Sequence, residues 1–262
     1  MAIDKQKLLN HLHDDERLIG ARALDVAEAV LHAEEPKATG FLDPNSREIA
    51  VGVLGAVPGV SYRAYGGYPK AEYQRSLVYP SFYLIELLES PLRAVEVTGD
   101  FPQESVSHRD FLGSVLSTGL KRDRVGDIVI TPTGCQVVVA EEAVAALLTQ
   151  LHQVHSVMVS VTEIDIEQLA VSPERVKSLK TTVASLRIDA VAAFGFGMSR
   201  TKMAREIKGG RVKKNWRLVT DPSADVAAGD IISMRGRGRV TVEEVKGETR
   251  KGRIALALTR TI

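Results

Sequence analysis

Lys202, Arg205 and Lys208 recur every third residue, which on a helix lines three cations along one flank. Arg187 and Arg200 precede them, Arg211, Lys213, Lys214 and Arg217 follow, and Arg235 stands further on. Ammonium groups present compact point charges, whereas guanidinium forks make two parallel hydrogen bonds to a phosphate, so such a set suits a polyanion. Ser199 and Asn215, within the same stretch, add neutral hydrogen-bonding groups. Residues 177–262 carry nineteen Lys+Arg against eight Asp+Glu, a net of +11, while residues 1–176 carry fifteen against twenty-five, a net of −10. The formal +1 of the whole chain conceals this split. Phosphate neutralisation supplies the affinity and the salt dependence of most nucleic-acid binding, so the segment is expected to contact nucleic acid.

The elements that must hold these cations are legible around them. SLRIDAVAAFGF predicts a short helix with Leu186, Ala190 and Phe194 facing inward at i, i+4 and i+8, ended by Gly195 and Gly197. Ser199 is a suitable N-cap for a second helix, RTKMAREIK, and Gly209-Gly210 is its stop. Met203, Ala204 and Ile207 then share one side, roughly opposite Lys202, Arg205 and Lys208. RVKKNWRLVT predicts a hairpin with Lys213, Asn215 and Arg217 on one face and Val212, Lys214, Trp216 and Leu218 on the other. A proline turn at Pro222, a Gly229-Asp230 turn and further strand follow.

Upstream, two more blocks can be drawn. In residues 1–85, leucines, valines and isoleucines at helical spacing predict helices with a break around Asp14–Asp15. Asp43-Pro44 reads as a cap followed by a first-turn proline, opening a helix closed by Pro58-Gly59. The Tyr- and Gly-rich stretch after it predicts two short strands and a loop at Gly66-Gly67. Residues 86–165 have the order β-α-β-β-α-β: strand 92–99, helix 107–120, two strand runs within 127–140, helix 141–152 and strand 156–164. That is the ferredoxin-like arrangement also used by RRM sheets. A polar joint over 165–180, containing Ser172-Pro173, leads into the basic block at 178–245. The expected class is α+β: an N-terminal mixed block, a ferredoxin-like (RRM-like) middle domain, and a C-terminal helix-turn-helix with a β-hairpin.

Residues from Ser185 to about Val242 resemble the RNA-binding domain named after ribosomal small-subunit protein S-four. The matching elements run in order: Leu186-Arg187-Ile188-Asp189, Ser199-Arg200 with Lys202 and Ala204, Ile207-Lys208-Gly209-Gly210, Val212-Lys213-Lys214-Asn215, Pro222-Ser223 and Gly229-Asp230-Ile231-Ile232. Trp216 departs from that pattern, which often has Gly in the hairpin turn. HRDFLGSVLSTGLKRDRVGDIVI (108–130) and GCQVVVAEE resemble the central region of the YlmH-type proteins, and the likeness covers about residues 40–245. FLDPNSREIA and the overall length look closest to the cyanobacterial and plastid branch known as photosystem II S-four domain proteins. The resemblance implies binding to structured RNA, rRNA or tRNA on a ribosomal subunit, with stalled large subunits as one target. It implies no DNA partner and no cofactor, and a location in the cytoplasm, in cyanobacteria or the plastid stroma, with peripheral thylakoid association as the variant. It also makes Lys121, Arg122 and Arg124, in the turn after the middle helix, a second candidate RNA contact.

Other chemistries fit less well. FGFGMSR holds a G-x-G without a preceding strand, and no Walker loop, H-E-x-x-H or G-x-S-x-G is present. His11 and His13 lie in a helical pattern unsuited to a strand metal site, His108 reads as a polar residue near a helix cap, and the single Cys135 as buried and inert. Hydrophobic content of 44% and no ~20-residue apolar run exclude a helical membrane span. The N-terminus has the form of neither a secretory signal nor a transit peptide. The expectation is a non-catalytic, ribosome-associated RNA-binding protein. An assembly factor on a photosystem complex ranks second and an RNA-modifying enzyme third.

Overall fold

A computed structural model describes residues 3–101, 106–171, 176–250 and 252–261. The expected break near Asp14 falls where the His13 amide donates to Glu16 Oε2 at 3.2 Å, so that α1 (Lys5–Leu9) ends and α2 (Asp14–Ala33) begins. After β1 (Lys37–Ala38), the Asp43 carboxylate accepts the Ser46 amide at 2.9 Å and Pro44 presets the first turn of α3 (Pro44–Leu54). This helix stops at Leu54, ahead of the expected Pro58-Gly59. β2 (Val60–Tyr65) and β3 (Arg75–Pro80) flank the Gly66-Gly67 loop, and the three strands pair antiparallel in the order β1-β3-β2. Leu24, Ala27 and Val30 of α2 meet Ala50, Val53 and Leu54 of α3 over Val78 of β3.

The middle block consists of β4 (Leu92–Gly99), α4 (His108–Ser117), β5 (Val125–Thr131), β6 (Gly134–Ala140), α5 (Val144–Gln150), β7 (Gln153–Val154) and β8 (Val157–Ile164). Its antiparallel sheet has the order β5-β6-β4-β8-β7, with the first strand lying between the third and the last long one. Apart from the short β7, that is the ferredoxin-like order which the sequence predicts. Phe111 and Val115 of α4 are buried, with Leu112 and Leu116 packed at the margin of the same core. Helix α5 is shorter than expected, because residues 141–143 form a 3₁₀ turn.

These two blocks belong to one compact unit, Met1–Val171. Asp127 of β5 joins them, accepting Tyr68 Oη at 2.6 Å and the amides of Glu72 and Tyr73 at 2.7 and 3.0 Å. Arg75, only 4% exposed, donates to Thr39 O at 2.6 Å and Pro91 O at 3.0 Å and pairs with Glu142 at 3.1 Å. Buried guanidinium is tolerable only with such full pairing.

The second unit, Ser172–Ile262, has β9 (Val176–Val183), α6 (Ile188–Gly195), α7 (Arg200–Lys208), β10 (Val212–Lys214), β11 (Arg217–Leu218), β12 (Ile231–Met234), β13 (Gly238–Glu248) and β14 (Ile254–Thr261). Its six strands pair antiparallel in the order β11-β10-β12-β13-β14-β9. The polar joint expected over 165–180 therefore gives way to strand at Val176, and Ser172-Pro173 lies outside the described residues. Both helices pack on one core with Val240, Val242, Leu256 and Leu258. A Cβ on Gly195 would stand 2.7 Å from Val240 Cγ1, so α6 approaches β13 as closely as only glycine allows.

The inward face expected for α6 is corrected by the structure. Phe194 is 42% exposed and Leu186 and Ala190 are half-buried, while Ile188, Val191, Ala192 and Phe196 fill the core. The helix starts only at Ile188, because Leu186 is held extended: its carbonyl accepts the Val226 amide and the Ile188 amide donates to Ala224 O, both at 2.8 Å. That pairing sets the rotation of the helix about its axis, which spacing alone could not give.

Candidate nucleic-acid interface

Helix α7 is built to show its cations. Ser199 Oγ accepts the Lys202 amide at 3.3 Å, as an N-cap should, and Gly210, at φ 67°, turns the chain away after Lys208. Met203 and Ile207 are wholly buried and Ala204 is half-buried, fixing the apolar side that the sequence predicts. Lys202, Arg205 and Lys208 are exposed, and among the described residues none of them has an ion pair. Arg205 and Lys208 also sit in the last turn, where positive charge complements the helix dipole. Lys213 on β10 and Arg235 after β12 are exposed as well. Arg211 is exposed but leans on Glu206 at 3.2 Å.

The hairpin turn between β10 and β11 holds two left-handed residues, Asn215 (φ 50°) and Trp216 (φ 63°). Trp216, half-buried, adopts the conformation in which glycine is usual. The turn is held by Asp230, which is 9% exposed. Asn215 Nδ2 donates to Asp230 Oδ1 at 2.7 Å, Asn215 Oδ1 accepts the Ile231 amide at 2.8 Å, and the Ala227 amide donates to Asp230 Oδ2 at 2.8 Å. Both ends of the Asn215 amide are thus engaged within the fold, so its place is structural. Lys214 is similarly tied, donating to Asp225 O at 3.0 Å and pairing with Asp230 at 3.4 Å. Arg217, next to the turn, is exposed. Burial by itself would raise the Asp230 carboxyl, but the Ala227 amide, Asn215 and Lys214 outweigh it and hold the group below the usual carboxylate range.

A second buried acid organises the other two arginines. Asp189, in the first turn of α6, is 4% exposed. Arg187 grips it with Nε at 3.3 Å from Oδ1 and Nη2 at 3.0 Å from Oδ2, and Arg200 Nη2 reaches Oδ1 at 3.0 Å. Burial pushes this carboxyl up, yet the hydrogen bonds from Arg187 and Arg200 more than reverse it, so the group is ionised at neutral pH. Asp189 and Asp230 appear in the motif match, but neither carried a role in the sequence; their only signal was acids embedded in a basic block.

The second candidate contact is largely absorbed by packing. Arg122 stacks over the Tyr73 ring at 4.0 Å and hydrogen-bonds Val125 O, and Arg124 pairs with Glu142. Both are half-buried, and Lys121 alone of the three is exposed. The adjoining His108, first residue of α4 after the Ser107 N-cap, is exposed; desolvation by the neighbouring protein and then the Arg122 charge hold it below its ordinary range. The middle sheet offers no stacking platform on β4 or β6: neither strand has an aromatic residue, and every residue of β6 is buried. Gln136, on β6, accepts the Ala170 amide at 2.7 Å and donates to Glu96 at 3.0 Å. Cys135 is fully buried, and burial pushes its thiol up to about 12.

Residues 16–83 match the family model described as "YlmH, N-terminal", and residues 92–168 the one described as "Putative RNA-binding domain in YlmH". Over 254 residues, 97% of this chain and 98% of the relative, the sequence is 35% identical to "Ribosome-associated protein quality control protein P2" of Bacillus subtilis (strain 168). The chain belongs to the YlmH family. Residues 186–232 match the "S4 domain", and β9, β13 and β14 extend the sheet of the second unit beyond the matched residues. A solved structure, "Cell division protein ylmH from Streptococcus pneumoniae", has the same fold over 61% of this chain and 97% of its own, with a TM-score of 0.51 and 21% identity. None of these YlmH-type matches carries the photosystem association suggested by the FLDPNSREIA segment.

Proposed function

We propose that this YlmH-family protein binds structured ribosomal RNA or ribosome-bound tRNA through the second unit, without catalysing a reaction, as a translation or quality-control factor acting on the large subunit. The observation that carries this reading is the row of Lys202, Arg205 and Lys208, exposed and without ion pairs among the described residues, on a helix fixed by buried Met203 and Ile207. Arg187, Arg200, Arg211, Lys213, Lys214, Arg217 and Arg235 extend the cationic surface around it, and the Ser199 hydroxyl is placed at the start of α7. Phosphate contacts of this kind set position and affinity, so shape is favoured over sequence. In the first unit, only Lys121 of its candidate trio remains open to such a contact. The name of the Bacillus subtilis relative supports a ribosomal partner, and the match of residues 92–168 supports RNA. No described helix is long and apolar enough to cross a membrane, and the proposed place of action is the cytoplasm, with the ribosomes.

Sedimentation through sucrose gradients tests this. At ~50 mM salt the protein is expected to co-migrate with large ribosomal subunits, and with about six phosphate contacts affinity falls roughly 10³-fold by ~200 mM. Protein remaining at the top of the gradient at low salt would refute the reading.

A further inference from the structure

The cations that make the proposed interface are not all alike. Lys202, Arg205 and Lys208 have no ion pair among the described residues, whereas Arg187 and Arg200, the first residue of α7, converge on one carboxylate that is almost removed from solvent. An exposed salt bridge between these groups would have little meaning, but the Asp189 side chain is 5% exposed while those of its two partners are 39% and 51% exposed. A buried acid with two half-exposed arginines costs desolvation that an apolar residue would avoid, so the arrangement calls for a reason beyond stability.

We infer that Asp189 is a positioning residue that fixes the guanidinium groups of Arg187 and Arg200 as a paired clamp for one phosphate group of RNA, an inference that rests on the function proposed above. A guanidinium has five N–H donors. Arg187 uses Nε and one hydrogen of Nη2 on Asp189, leaving Nη1 and the second Nη2 hydrogen, and Arg200 uses one hydrogen of Nη2, leaving Nε, Nη1 and the second Nη2 hydrogen. The remaining donors belong to two planar groups anchored on the same carboxylate. The backbone under them is fixed too. The Ile188 and Asp189 amides donate to Ala224 O and Pro222 O at 2.8 and 3.2 Å, and Arg187 bridges to Asp225 across the same ladder. Arg200 comes from the first residue of α7, so the carboxylate ties the start of one helix to the start of the other. Long arginine side chains lose rotamer freedom when they bind phosphate, and a partner that orders them beforehand removes that cost.

The inference makes a prediction opposite in sign to simple electrostatics. Asp189→Asn raises the net charge of the interface by one, so a charge-only surface would bind every polyanion as well or better. With a positioned clamp, affinity for a folded rRNA fragment falls about tenfold, and the slope of log affinity against log salt drops by about 0.7–0.9, the share of one phosphate. Affinity for heparin, a polyanion without folded-RNA geometry, stays level or rises. Near-UV circular dichroism establishes that the variant is folded. If Asp189→Asn does not fold, the double variant Arg187→Lys with Arg200→Lys decides, since it keeps both charges but not the forks, and the same tenfold loss for RNA alone is expected. Unchanged or tighter RNA binding by the folded variant, or equal losses for RNA and heparin, overturns the inference. Failure of the wild-type protein to bind the rRNA fragment at all would instead remove the underlying function.

Discussion

Replacing Lys202, Arg205 and Lys208 together by alanine should weaken RNA binding in a way that reveals how the helix works. Each phosphate neutralised by a cation contributes about 0.7–0.9 to the slope of log affinity against log salt, so removing three lowers the slope by about 2–2.7. At ~0.1 M salt that corresponds to a loss of roughly 10²–10³ in affinity, and the lines for wild type and variant converge towards ~1 M. The fold is expected to survive. All three side chains are exposed and, among the described residues, without ion pairs, and the buried anchors Met203 and Ile207 are untouched. Loss of the last-turn charges of Arg205 and Lys208 costs about 0.3–1 kcal/mol each, partly offset by the helix propensity of alanine. Fluorescence anisotropy of a labelled rRNA transcript, titrated from ~50 to ~500 mM salt, reads the slope directly. Parallel lines for the two proteins would mean that α7 neutralises no phosphate, and would refute the reasoning.

Gly134, at φ 151°, opens β6 where a Cβ would lie 2.0 Å from Val97 O of the neighbouring strand, so Gly134→Ala should lower stability by roughly 3 kcal/mol or more, read from the urea midpoint. A shift within ~0.5 kcal/mol would show that the strand can yield there. Cys135, buried with its thiol pushed up to about 12, should stay unmodified by a thiol-reactive disulfide reagent at neutral pH in the native protein and react rapidly in denaturant. Fast stoichiometric labelling of the native protein would contradict that burial.

Much of the framework is written in local spacing. The Asp43-Pro44 start, the Ser199 cap, the Gly209-Gly210 stop and the β-α-β-β-α-β rhythm each depend on residues within a few positions of one another, where capping and side-chain period act. The segregation of charge into a −10 and a +11 part is likewise a property of composition. The face of α6 was not legible, because a helix of eight residues that is apolar apart from Asp189 can satisfy its period in more than one rotation. Its rotation is chosen by the ladder that Leu186–Asp189 forms with Pro222–Val226.

The sequence by itself determined where the cations are and that ordered helices and strands must carry them, since periodicity, caps and charge count are one-dimensional quantities. Only the tertiary structure decided which cations stay open and which are engaged. Arg124 and Arg75 converge on Glu142, Arg187 and Arg200 on Asp189, and Lys214 and Asn215 on Asp230, through contacts that span up to 67 positions of the chain. Such pairings are fixed by burial, because a carboxylate taken out of water must find donors wherever the fold brings them. Whether an arginine faces a phosphate or its own protein's acid is therefore settled by the packed core, and no count of charges along the chain can supply it.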